Sequence, residues 1–357
     1  MKILVSAGGT GGHIYPALAI IDGFKKYDKN LEVLYVGTTN RMERTIVPKR
    51  KIAYYGIEIY GLSKNIVKDV KNLFLIRKAK RNLYKKMQEF KPDIVLGIGG
   101  YVTYPVLSVA KKLGIPTFIH EQNAIPGKTN KLISRYANKI GVSFKESAKY
   151  FPKEKVIYTG NPTGIMALSA PRITKSELGF DDAKPLIVVV SGSLGSSSVN
   201  AKMQEYLHTI NKNYQVVYIT GKDYYDDFVK EKLPSNIKVY PYFDNLTGLL
   251  KSADCLVTRA GASTIAEILA LRVPSIFIPS PYVANNHQYY NALALKEANL
   301  ALMIEEKDLT KDTISQSVES ILNDKKIQEK LKKNLSQVET IDSVQVIYKA
   351  VRDLIKK

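Results

Sequence analysis

Lys2-Ile-Leu-Val-Ser-Ala-Gly-Gly-Thr-Gly-Gly-His-Ile14 opens the chain and decides its class. Ile3–Ser6 is a β-branched run short enough to be a buried strand, and Ile14–Lys26 has the spacing of an amphipathic helix. Between them, Gly8-Gly-Thr-Gly-Gly-His13 lets backbone approach a ligand closely, with a helix N-terminus behind it that favours an anion or a polar sugar. The dinucleotide fingerprint does not fit: its last glycine would fall on Ile14, or its second on Thr10. A P-loop fails as well, because the glycine required upstream of Gly127-Lys-Thr129 is Gln122. The same rhythm of strand, loop and helix returns along the chain. Leu31–Val36, Asp93–Ile98 and Pro116–His120 read as buried strands, as do Pro185–Val190, Gln215–Thr220, Ile237–Tyr240, Cys255–Thr258 and Ser275–Ile278. Such alternation predicts α/β architecture with doubly wound parallel sheets covered by helices. Gly and Pro cluster in Thr159-Gly-Asn-Pro-Thr-Gly164, which places a hinge at residues 160–164 between halves of similar size. Ligands of such sheets bind at the carboxyl ends of the strands, and a cleft between two domains is the expected active site.

A chain of 357 residues is long enough for two domains. Hydrophobic residues at 45% and charged residues at 24% exclude a long disordered or fibrous chain. Lys and Arg number 53 against 33 Asp and Glu, and the resulting charge of +20 calls for an anionic partner. The lone Cys255 excludes an internal disulfide and a cysteine-cluster metal site, which fits a reducing cytoplasm. Four scattered histidines form no zinc pair, and Asp181-Asp182 and Asp226-Asp227 lie at no strand end, so no metal-held diphosphate is expected. The opening apolar stretch is too short for a signal peptide, and no run approaches a membrane span, so any membrane contact is peripheral.

Four further stretches carry candidate chemistry. Ser191-Gly-Ser-Leu-Gly-Ser196 is a second strand-to-helix loop able to hold a phosphate, or a plain turn. In Thr258-Arg-Ala-Gly-Ala-Ser-Thr-Ile-Ala-Glu267, Glu267 is spaced either to accept two ribose hydroxyls or to close a capping box with Thr264. His120-Glu-Gln-Asn123 sits at a strand end, where α/β proteins bind ligands, and His287 reads as a surface or capping residue. Lys64–Lys91 holds ten basic residues against Asp69 and Glu89, with Leu73, Phe74, Leu75 and Ile76 between them. It reads as a membrane-surface helix for an anionic leaflet, or as a solvated charged face with its apolar residues in the core. No nucleic-acid-binding motif accompanies the charge, and no nucleic-acid partner is expected.

In order along the chain, Gly8-Gly-Thr-Gly-Gly-His13, Gly99-Gly-Tyr101, His120-Glu-Gln-Asn123, Gly160-Asn-Pro162, Gly192-Ser-Leu-Gly195, Arg259-Ala-Gly261 and His287-Gln-Tyr-Tyr-Asn-Ala292 resemble the glycosyltransferases of family 28 that act in peptidoglycan synthesis. The ordered set spans nearly the whole chain and is far more specific than any one motif. The resemblance implies a GT-B fold, two Rossmann-like domains facing a central cleft. Residues 1–162 would form the acceptor and membrane-facing domain, 163–338 the donor domain, and 339–357 a helix returning to the first domain. It implies inverting transfer of N-acetylglucosamine (GlcNAc) from the co-substrate UDP-GlcNAc to the 4-hydroxyl of undecaprenyl-pyrophosphoryl-MurNAc-pentapeptide (lipid I), giving lipid II. No cofactor and no built-in metal take part, and the protein sits peripherally on the cytoplasmic face of the membrane.

Carried over by position, the resemblance makes Phe243 the uracil reader, Glu267 the ribose acid and Ser193 the phosphate-side serine. Ala262, Ser263, Thr264, Ile265, Ala266 and Gln288 line the donor, while Thr10, Gly11, Gly12 and Asn123 close the site from the first domain. Gly99, Gly100 and Tyr101 face the polyprenyl-pyrophosphate-linked acceptor. An inverting transfer needs a base for the acceptor hydroxyl; His13 is the first candidate and Glu121 the second. Three positions depart from the family pattern: Gly164 stands where an Arg is usual, Ser191 where a glycine is, and Tyr104-Pro105 where Gly-Pro is. The competing readings are a related glycolipid synthase with another lipid acceptor and a catalytically inactive sugar-nucleotide scaffold.

Overall fold

Ile3, Leu4 and Val5 are fully buried, which is what a strand covered on both faces demands. They lie in β1 (Lys2–Ala7) of a computed structural model that describes residues 1–61, 65–191, 195–230 and 232–356. Ser193 and Gly192 of the second glycine loop, and Lys64 of the basic stretch, lie outside the described residues. Six strands follow in the first sheet: β2 (Glu32–Thr38), β3 (Ala53–Ile57), β4 (Ile94–Gly99), β5 (Thr117–Glu121), β6 (Lys139–Val142) and β7 (Val156–Tyr158). All pair parallel in the order β3-β2-β1-β4-β5-β6-β7. A second parallel sheet, ordered β10-β9-β8-β11-β12-β13, comprises β8 (Leu186–Val190), β9 (Gln215–Ile219), β10 (Ile237–Tyr240), β11 (Cys255–Thr258), β12 (Ser275–Phe277) and β13 (Leu302–Met303).

Each sheet belongs to its own compact unit. Residues 1–163 and 341–357 make the first, and residues 164–340 the second. Within the first sheet, side chains alternate between faces with the two-residue period of a strand. Ile3 and Val5 face a core shared with the Gly11–Tyr27 helix, and Leu4 faces the opposite core with Leu83 and Val106. The last helix, Ser343–Ile355, completes the first of these cores. Its Val344, Ile347 and Val351 form a single stripe, and the Tyr348 ring meets Phe24 edge-on at 5.0 Å. Burying each of those aliphatic side chains is worth roughly 1.5–3 kcal/mol, so the C-terminal segment is integral to the first unit.

The 25-residue helix Ile66–Phe90 splits the apolar residues of the basic stretch between two environments. Ala79, Leu83 and Met87, spaced i, i+4, i+8, are buried, and Leu75 and Ile76 pack against the same core. Leu73 and Phe74 do not: they stand in solvent with Ile66, Val67 and Val70 on the N-terminal half of the helix.

Strand order fixes where ligands can go. In both sheets it reverses at the first strand, between β1 and β4 in one and between β8 and β11 in the other. In open parallel sheets the carboxyl ends of the strands at such a reversal are where ligands bind.

Candidate active site

At the reversal in the first sheet, the loop after β1 meets the loop after β4, and the Gly8 N–H donates to Gly99 O at 3.2 Å. Pairing between β1 and β4 slips there, from Ser6 opposite Gly97 to Ala7 opposite Gly99. Gly99 and Gly100 have φ of +130° and +87°, where a side chain is strained. Space excludes one too: a Cβ on Gly99 would run into the His13 ring, and one on Gly100 into Gly8 O. The Gly-Gly before Tyr101 is therefore what allows the His13 ring to sit over β4.

Thr10 is the N-cap of the Gly11–Tyr27 helix, with Gly11 and Gly12 as its first residues and no acid in the first turn. The half-buried His13 holds its Nδ1 3.2 Å from Gly8 O and 3.3 Å from Thr10 Oγ1. A carbonyl only accepts, so the Gly8 contact is a hydrogen bond only in the tautomer protonated on Nδ1, which leaves the lone pair of the neutral ring on Nε2. That is the tautomer a general base needs.

At the end of β5, His120 and Glu121 are buried. His120 Nε2–H donates to Gly160 O at 3.0 Å, its Nδ1 accepts from Gln122 Nε2 at 3.0 Å, and burial holds its pKa down at about 4. It is a neutral structural residue. Glu121 Oε1 accepts from Asn123 N at 2.9 Å and Asn123 Nδ2 at 3.2 Å. Its Oε2 accepts from Gly127 N at 3.1 Å and Asn130 Nδ2 at 2.9 Å. A carboxylate whose oxygens are taken by four donors orients Asn123 and its loop; it is not poised to receive a substrate proton, and the expectation of Glu121 as the second candidate base gives way to this positioning role.

The second sheet presents its candidates at the carboxyl ends of its own strands. Phe243 follows β10, half-buried, its ring edge-on to Tyr240 at 5.2 Å. Ala262–Leu271 is a helix whose N-cap is Gly261, with no acid in its first turn. That start removes the capping-box reading, since Thr264 and Glu267 both lie inside the helix. Glu267 sits in the second turn, where burial pushes its carboxyl up to about 7 and no described residue donates to it. Such a carboxylate gains from a ligand that brings hydroxyl donors. Ala262 is buried, Ser263 and Thr264 are half-buried, and Ile265 is turned into the core, so Ile265 can offer a ligand only its main chain. Gln288 accepts from Ser280 N at 2.9 Å, which fixes the amide and turns its NH₂ away from that bond. His287 Nδ1 donates to Ala284 O at 2.8 Å, as a capping residue does.

Two networks beneath these strand ends carry no role in the motif reading. Arg259 pairs with Glu306 at 2.6 Å and donates to Ser196 Oγ at 2.6 Å, tying the loop after β8 to the loop after β11. Ser191 Oγ lies 3.1 Å from Tyr218 OH, which donates to Asn200 Oδ1 at 2.6 Å, so the serine in place of the family glycine has a buried partner. Among the described residues, no cluster of three or more His, Cys, Asp or Glu side chains could hold a metal ion.

The glycosyltransferase family 28 N-terminal domain matches residues 3–142, and the family's C-terminal domain matches residues 186–346. The chain belongs to glycosyltransferase family 28. Two curated relatives bear the name UDP-N-acetylglucosamine--N-acetylmuramyl-(pentapeptide) pyrophosphoryl-undecaprenol N-acetylglucosamine transferase. The one from Bacillus cereus is 41% identical over 364 residues, covering 100% of both chains. The one from Thermoanaerobacter sp. is 42% identical over 366 residues, covering 99% of this chain and 100% of its own. Among solved structures, Acinetobacter baumannii MurG superposes with a TM-score of 0.79 at 28% identity, covering 99% of each chain. The two parallel-sheet units are thus the GT-B architecture of family 28. The reversal in the first sheet holds the glycine loop Gly8–His13, and Ser191 follows β8 at the reversal in the second.

Proposed function

We propose that this family 28 enzyme transfers GlcNAc from UDP-GlcNAc to the 4-hydroxyl of the muramoyl sugar of undecaprenyl-pyrophosphoryl-MurNAc-pentapeptide, releasing UDP and forming lipid II. The observation that carries this reading is a relationship of 41–42% identity running end to end with the transferases named above. The acceptor oxygen attacks the anomeric carbon as the bond to the diphosphate oxygen breaks, in one displacement that inverts the centre. His13 Nε2 takes the hydroxyl proton; the Nδ1 contact with Gly8 O supports that assignment. Glu267 accepts the ribose hydroxyls, which its unmatched, partly buried carboxylate supports. Phe243, Ala262–Glu267, Gln288 and Ser193 bind the donor; Thr10, Gly11, Gly12 and Asn123 assist; Gly99, Gly100 and Tyr101 take the acceptor. Charge developing on UDP is met by main-chain N–H groups at the start of the Ala262–Leu271 helix, with no metal in the reaction.

The acceptor's lipid places the reaction on the cytoplasmic face of the membrane, where the enzyme is a peripheral protein serving wall growth, cell shape and division. No helix among the described residues is long and apolar enough to cross a membrane. The docking face is the N-terminal half of the Ile66–Phe90 helix. There Ile66, Val67 and Phe74 are 80%, 78% and 65% exposed, with Lys68, Lys71, Arg77 and Lys78 among them. Each cation near an anionic leaflet adds about 1 kcal/mol.

UDP release from UDP-GlcNAc, measured with EDTA present and with or without a soluble lipid I analogue, tests the reading. Release that depends on the acceptor is the expected result. Donor binding without acceptor-dependent release would point to another lipid acceptor or an inactive scaffold.

A further inference from the structure

The Glu43 side chain is fully buried beneath the first glycine loop. Its Oε1 accepts from Thr38 N at 3.0 Å and Thr38 Oγ1 at 2.7 Å, and its Oε2 accepts from Gly9 N at 3.2 Å. Three glycines make the slot it occupies. A Cβ on Gly8 would stand 2.5 Å from Glu43 Oε1, and one on Gly37 2.6 Å from Glu43 Cγ, while Gly9 has φ +89° and donates to the carboxylate. A buried carboxylate with three donors is costly to disturb and holds its partners in place. What it holds is the Gly8–Gly9 backbone, whose Gly8 oxygen accepts from His13 Nδ1. Thr10 Oγ1 competes for the same nitrogen at 3.3 Å. Its hydroxyl can donate to the opposite tautomer, whereas Gly8 O cannot.

We propose that Glu43 is a positioning residue for the transfer: by clamping Gly8–Gly9 it keeps Gly8 O on His13 Nδ1 and so sets the ring tautomer that leaves Nε2 basic. This rests on the reading of His13 as the base. The carboxylate touches no substrate. It acts through the Gly8–Gly9 backbone and the His13 ring, so its main effect falls on the chemical step.

The test is nitrogen-15 NMR of imidazole-labelled full-length protein, with the His13 signals assigned by their loss in His13→Gln, alongside steady-state kinetics of Glu43→Gln. The wild-type ring is expected to be protonated at Nδ1. In Glu43→Gln a substantial fraction moves to the Nε2-protonated form, and kcat falls 10-fold or more while KM for UDP-GlcNAc changes less than about 2-fold. Should Glu43→Gln not fold, Thr38→Val, which removes one donor to the carboxylate, is expected to move the tautomer in the same direction. An unchanged ring in a folded Glu43→Gln, or in Thr38→Val if that is the only variant that folds, overturns the proposal. His13→Ala is assayed in parallel. Near-normal turnover there would remove His13 as the base, while the NMR result would still decide whether Glu43 sets its tautomer.

Discussion

Gly164 lies so close to Ala266 that a Cβ on the glycine would stand 2.9 Å from the Ala266 main-chain oxygen and 3.5 Å from the Ala270 Cβ. The family's usual Arg cannot occupy this position without displacing the turn that carries Glu267. The departure from the family pattern is therefore a packing solution between the Pro162–Ser169 and Ala262–Leu271 helices.

Gly164→Ala is expected to destabilise the protein. Overpacking costs about 1–3 kcal/mol, and the helix propensity gained offsets less than about 1 kcal/mol. The Tm should fall by a few degrees, and the Kd for UDP-GlcNAc, measured by titration calorimetry, should rise several-fold as Glu267 moves. Gly164→Arg should be worse on both counts. Tighter donor binding by Gly164→Arg would mean that the arginine restores a donor contact instead.

Glu267 predicts the pH dependence of donor binding. Burial raises its carboxyl to about 7 in the free protein. Ribose hydroxyls donating to it favour the charged form, so binding lowers that pKa and releases protons. Affinity for UDP-GlcNAc should therefore strengthen as pH rises from about 6 to 8 and weaken below. In Glu267→Gln it should be weaker throughout and lose this dependence. Without ligand the sign is opposite. Glu267 carries no cost to the fold below the unfolded carboxyl value near 4.3, and its cost grows as pH rises through about 7. An equal pH dependence in wild type and Glu267→Gln would exclude Glu267 as its source.

His120 makes a separate stability prediction. Its folded pKa near 4 lies below the ordinary histidine value, because burial disfavours the imidazolium. A depressed value means stability that is fully present above the unfolded pKa and lost as pH falls from there through about 4. At about 1.4 kcal/mol per unit, the full difference is about 3.5 kcal/mol. Between pH 7 and pH 4.5, wild type should lose roughly 2–3 kcal/mol more unfolding free energy in urea than His120→Gln. Parallel losses in the two proteins would show that the imidazole is not the titrating group.

Much of this was legible in the sequence, in proportion to how local each signal is. β1, β2, β4 and β5 announce themselves by β-branched runs, as do β8 to β12. β3 and β6 are interrupted by Gly56 and Gly141, and β7 and β13, of three and two residues, stand apart from the regular strand–helix alternation that made the equally short β10 to β12 legible. His13 and its glycines could be read because loop and helix are contiguous. Glu43 could not: it is a single acid at the start of the short Glu43–Lys49 helix, and only the fold brings Gly8, Gly9 and Gly37 around it. Thr264 and Glu267 have the three-residue spacing of a capping box, but the helix begins at Ala262, and spacing alone does not give its start. The basic stretch was legible as amphipathic, yet the split between Leu75 and Ile76 inside and Leu73 and Phe74 outside depends on which stripe the core takes.

That split decides the membrane prediction. Ile66, Val70 and Phe74 recur at i, i+4 and i+8, with Val67 and Leu73 beside them, so the exposed residues share one face of the helix. The buried Ala79, Leu83 and Met87 anchor the C-terminal half, so changing Phe74 leaves the core intact. Moving a phenylalanine from water into a bilayer interface is worth about 1.5–3 kcal/mol. Phe74→Ser should therefore weaken binding to vesicles containing anionic lipid by at least 10-fold in a sedimentation assay. Turnover of a soluble acceptor, which needs no membrane, should stay within about 2-fold of wild type. Raising salt should weaken vesicle binding further by screening Lys68, Lys71, Arg77 and Lys78, and the Phe74 effect should persist at high salt because its burial is not electrostatic. Unchanged vesicle binding by Phe74→Ser would assign membrane contact to another surface of the protein.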